Sequence, residues 1–173
     1  MQKIFLTLMA MVSLSVCISC SGPQLTQDEY TFRKTRWGMT KEEVIQSEGR
    51  PPTSQAAGFV IFYDDELFGQ KVRMAYRFSD KDDLLMASMY SLNRYDESFV
   101  QSAISTLTKK YGNPKNRKDA DGREEITWAR GDTTISVRAD KDRVLISYAS
   151  EEKTKEHNHW VTGKSGLKDE QKL

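Results

Sequence analysis

Residues 71–78 alternate without a break: Val72, Met74, Tyr76 and Phe78 are apolar or aromatic, and Lys71, Arg73, Ala75 and Arg77 lie between them. Successive side chains of a strand point to opposite faces, so this pattern belongs to a sheet with one buried and one wetter face. Five further stretches read as strands. They are 58–65 and 84–92 on either side of it, and 124–130, 133–139 and 143–150 later in the chain. Polar turns separate them, at Ser79–Asp83, Arg130-Gly131-Asp132 and Asp140-Lys141-Asp142.

Two helices precede these groups of strands. Thr40 with Glu43 spells a capping box, and Met39 with Val44 can form a hydrophobic staple across it. Gly49 suits the left-handed position after the last turn, and Pro51 stops propagation, so a short helix is predicted over 41–48. Over 97–111, Phe99, Ala103, Ile104, Leu107 and Tyr111 fall on one stripe of an amphipathic helix. It ends Tyr111-Gly112-Asn113-Pro114, an echo of Glu48-Gly49-Arg50-Pro51 at a separation of 63 residues. The expected fold is therefore α+β: two tandem helix–three-strand units, 36–92 and 93–150, forming an antiparallel sheet with the helices packed on one face.

The first helix opens Trp37-Gly38-Met39-Thr40, continues to Val44 and closes on Gly49-Arg50-Pro51, with Tyr- and Phe-rich strands after it. In this it resembles the small bacterial lipoproteins of the SmpA/OmlA (BamE) type, and the wider set sharing a fold with β-lactamase inhibitor protein. The resemblance is clearest over 36–52 and weaker over 93–114. Its residues are caps, staple and stop, so it speaks for a scaffold more than for an activity. The chain departs from the single-unit assembly lipoproteins in its second unit and its charged tail. The resemblance implies a non-enzymatic envelope protein, and in the inhibitor-like relatives a sheet face is the binding surface.

The N-terminus reads as an export segment. Lys3 supplies a positive start, residues 4–18 are largely apolar, and Ser19-Cys20-Ser21-Gly22 follows. Residues 1–19 are too short an apolar stretch for a membrane span and read as a lipoprotein signal peptide. Cys20 is the expected lipidation site, carrying diacylglycerol and palmitate-type chains that hold the protein stably on a membrane. Cys17 stands where such motifs usually carry Leu; ordinary signal-peptidase cleavage is the alternative, because Cys17 and Ser19 are also small enough for it. Ser21, where an Asp would block sorting to the outer membrane in such lipoproteins, places the anchor on that membrane's periplasmic face. Residues 20–35 are then a lipidated tether, and 151–173 a charged, disordered tail.

Composition narrows the function. Both cysteines, 17 and 20, lie in the export segment, so the folded part is left without a disulfide, thiolate metal site or cysteine nucleophile. Of 26 basic residues Lys3 is removed with the signal, leaving 25 against 25 acidic, a balance that argues against nucleic acid as partner. His157 and His159 are the only histidines and sit in the tail, which offers the core no histidine base and too few ligands for a structural zinc site. Asp119-Ala120-Asp121-Gly122 suggests a calcium loop, yet that register places Arg117 and Trp128 at the first and last ligand positions. Neither residue can ligate calcium. No catalytic residue, metal or cofactor is assigned.

One surface remains: the wetter face of the sheet. The alternation puts Arg73 and Arg77 there, with Arg138 from the second group of strands, as a candidate interaction face for an acidic or aromatic protein partner. The expectation is an envelope scaffold, assembly factor or inhibitor acting by protein–protein contact. The alternative is a binding module for a small or polymeric envelope ligand.

Overall fold

The computed structural model describes residues 31–118 and 124–158. The signal peptide, Cys20, the tether up to residue 30, the 119–122 acidic loop and His159 lie outside the described residues. No helix among the described residues is long and apolar enough to cross a membrane.

The order of elements is α1 (Lys41–Glu48), β1 (Ser54–Ala56), β2 (Val60–Leu67), β3 (Gln70–Phe78), β4 (Leu85–Leu92), α2 (Glu97–Tyr111), β5 (Lys115–Lys118), β6 (Glu124–Arg130), β7 (Thr133–Ala139) and β8 (Val144–Ser150). A third helix, α3, runs over 151–158. The strands form one antiparallel sheet in the order β1-β2-β3-β4-β8-β7-β6-β5.

The expectation of two tandem helix–three-strand units is overturned. Four strands follow each of the first two helices, and β4 pairs directly with β8, so the sheet is one continuous piece. The strands that sequence reading missed are short and polar, SQA and KNRK, with no alternation to mark them. The echoed helix endings are also different structures. Gly49 takes φ 68, ψ 16, and its N–H donates to Gln46 and Ile45 carbonyls. Gly112 takes φ 84, ψ −164, a region open essentially to glycine alone, and its carbonyl accepts the Trp128 indole N–H at 3.0 Å. The same Gly-x-Pro thus ends one helix in a left-handed cap and the other in a glycine-only turn toward β5.

The two helices also contribute unequally to the core. Val44 is the one buried residue of the eight-residue α1, which joins Ile61, Tyr63, Met74, Tyr76, Phe78 and Leu85. α2 buries Phe99, Ala103 and Leu107 against Val72, Leu92, Trp128, Ile135, Val137, Val144 and Ile146. The space between them is filled by residues 31–35, expected to be tether but built into the core. Phe32 is 3% exposed, with its ring 5.0 to 5.5 Å from those of Tyr76, Tyr90 and Tyr148. A two-residue bridge, Phe32 to Thr35, shapes this strap.

The charged stretch after Glu151, expected to be disordered, is helical over its first eight residues. Its start is capped by the residue before it and, from a distance, by Asp132. Ser150 Oγ accepts the Lys153 N–H at 3.0 Å, and the Asp132 carboxylate accepts the Glu152 N–H at 2.8 Å. The far end is held by His157, which is buried with Nδ1 2.9 Å from Asp80 Oδ1. EEKTKEHN has no apolar stripe, so tertiary capping orders this helix where propensity alone would not.

Candidate interaction face

Register alone arranges the face away from α1 and α2. Partners directly opposite in an antiparallel ladder share a face, so the pairings can be followed across the sheet. One row runs Asp64, Arg73, Ser91, Leu145, Arg138. The next runs Phe62, Ala75, Met89, Ser147, Ser136, Thr127, and the third Val60, Arg77, Ala87, Ala149, Thr134, Ala129. Arg73 and Arg138 therefore occupy the same row, three strand spacings apart, about 14 Å. Arg77 lies two rows from Arg73 on the same strand, about 13 Å along it. The three arginines frame a floor made largely of alanine and serine.

Each arginine of β3 is steadied by an aromatic ring. The Arg73 guanidinium stands 4.6 Å from the Phe62 ring centroid and donates to Ser54 Oγ at 3.1 Å. Arg77 lies 6.0 Å from the Phe59 ring. Stacking of this kind pre-orders a long side chain, which lowers the entropic cost of using it in a complex. Arg138 is half-buried and engaged with its surroundings. Opposite charges border the patch on β2, where Asp64 and Glu66 face Arg73 and Lys71 across the ladder.

A second polar constellation lies on the buried side and was invisible in the sequence. Arg33 Nε meets Glu48 Oε1 at 3.0 Å, and its Nη1 meets Asp65 Oδ2 at 2.7 Å. The Tyr76 hydroxyl also donates to Glu48, whose side chain is 3% exposed. Arg50 completes the group, 3.8 Å from Asp65 and 5.1 Å from the Tyr63 ring centroid. Glu48 ends α1, where the helix dipole disfavours an anion, so these partners are what make a buried carboxylate tolerable there.

Burial, with the Glu48 carboxylate beside it, pushes the Tyr76 hydroxyl well above the ordinary tyrosine value, and burial raises Tyr63 and Tyr90 too. Burial works to lower the Arg33 pKa, but Tyr90, Glu48 and Asp65 outweigh it and raise it. At neutral pH these phenols stay protonated, the Tyr76 hydroxyl donating to Glu48 and the Tyr90 oxygen accepting from Arg33, which is a fixed cation. The four residues come from the strap, α1, the loop after it and β2, so no local pattern could reveal them.

Among the described residues no cluster of three or more His, Cys, Asp or Glu is placed to hold a metal ion. Comparison with protein-family models, characterised proteins and solved structures found no match to this chain.

Proposed function

We propose that this chain is an exported, lipid-anchored protein of the cell envelope that acts without catalysis, by contact with an acidic protein partner through the face of its sheet away from α1 and α2. The observation that carries the reading is the frame of Arg73, Arg77 and Arg138 around a floor of small residues on one open face. Arg is favoured at binding hot spots, and a low floor admits a partner's side chains between the guanidiniums. The apolar run and Cys20 supply the export and anchoring half of the reading, with the periplasmic side of the outer membrane as its place.

Photo-crosslinkers at Ala87 and Ser147, in the middle of the floor, should capture a defined envelope protein in intact cells, identified by mass spectrometry. The double variant Arg73→Glu/Arg77→Glu should abolish that capture while leaving the thermal midpoint nearly unchanged. Equal capture by the charge-reversed protein would refute the face. Cys20→Ala should release the protein from membranes, and full retention would refute the anchor.

A further inference from the structure

A cavity of about 240 Å3 opens on the buried side of the sheet, between α2, the strap and the tip of the β2–β3 hairpin. Its walls are Phe32, Leu67, Tyr90, Leu107, Ile146 and Tyr148. A hydrocarbon cavity of about 150 Å3 accommodates a benzene ring, so this volume suits one ring with a short substituent. Concave, mostly apolar walls with few polar groups are what a small-molecule site requires.

Two features shape the rim. Phe68 sits at the hairpin tip with φ 50, a left-handed conformation that a bulky side chain rarely takes. It is 39% exposed, its ring meeting the edge of Phe99 at 5.5 Å. Phe68 and Gly69 are the two central residues of the β2–β3 hairpin, whose turn needs positive φ at both, and this turn sets the ring at the cavity mouth.

The second feature is charge. Arg33 reaches the cavity, but Arg33 and Arg50 are balanced by Glu48 and Asp65. Lys110, on the exposed side of α2, also lines the opening, and its contact among the described residues is the Tyr111 ring, 5.2 Å from Nζ. No carboxylate among the described residues pairs with it. The sign of the rim is therefore set by Lys110, and it is positive.

We infer that this cavity binds a small aromatic carboxylate, its ring against Tyr90, Tyr148 and Phe68 and its anionic end at Lys110. This site lies on the side of the sheet opposite the arginine face and does not depend on the protein-contact reading.

The test is titration of 3-phenylpropionate into the isotopically labelled full chain, followed by NMR. Saturable shifts at Leu107, Ile146, Tyr90 and Tyr148 are expected. Lys110→Glu should weaken binding about fivefold or more, the loss of one exposed ion pair, and turn the preference toward 3-phenylpropylamine. Thr106→Tyr, a substitution at an exposed position on the rim, should block the cavity without touching the core. The inference is overturned by no saturable binding at millimolar probe, by shifts confined to other residues, or by variants that bind like the parent. Equal binding of hexanoate would overturn the aromatic specificity and reassign the cavity to acyl chains.

Discussion

Replacing Phe32 by Ala tests whether the strap is a structural part of the domain. The ring is almost wholly buried and touches three tyrosines, on β3, β4 and β8. Truncating a core Phe costs about 3–5 kcal/mol, and edge-to-face partners add about 0.5–1.5 kcal/mol each. The strap can swing away and let the tyrosines relax, which holds the loss near the low end, about 3 kcal/mol. With a urea dependence of about 2 kcal/mol per molar, the unfolding midpoint should fall by about 1.5 M at unchanged slope. A Phe32→Ala midpoint shift corresponding to about 0.5 kcal/mol or less would refute the reasoning, since the strap would then be a tether laid on a core complete without it.

Three other outcomes follow from the geometry. Gly49→Ala forces a methyl-bearing residue into φ 68 and should cost about 1–2 kcal/mol, read by thermal unfolding; no loss would mean α1 does not end in this cap. Tyr76, Tyr90 and Tyr148 all have folded pKa values raised by burial above the ordinary 10.0. Stability from them is fully present below pH 10 and is lost as pH rises toward the raised values, because the unfolded chain releases the protons first. Each contributes about 1.4 kcal/mol of loss per pH unit, so tyrosinate absorbance should appear together with unfolding rather than before it. Ending the chain at Lys153 removes His157 and most of α3, and should lower stability by about 1–2 kcal/mol; an unchanged midpoint would show that the helix lies on the domain without supporting it.

What could be read from the sequence was whatever repeats locally. The alternation over 71–78 places Val72, Met74, Tyr76 and Phe78 inward as written, and Thr40 with Glu43 forms the capping box, with bonds of 2.8 and 3.3 Å. The edge strands were not legible because SQA and KNRK carry no period. α3 was not legible because its local cap, Ser150, is followed by no apolar stripe, and its second cap, Asp132, comes from the hairpin before it. The pattern Gly-x-Pro misled because it specifies that a helix stops and leaves open how. Arg73 and Arg77 could be assigned to the outer face by counting in twos. Their alignment with Arg138 needed the registers of three ladders, and the Arg33–Glu48–Asp65 group needed the tertiary fold itself.

The strap also sets a load path. An acyl anchor at Cys20 would pull on the domain through the chain ahead of Thr31, and the first firmly seated residue met by that pull is Phe32. The force would enter at the middle of the sheet, beside the β4–β8 seam, instead of at a free edge. From there it would spread to α1 through Arg33 and Glu48, and to β2 through Asp65. A domain tethered in this way resists tension by shearing a packed ring from between three others, and it keeps its outer sheet face clear of the line of pull.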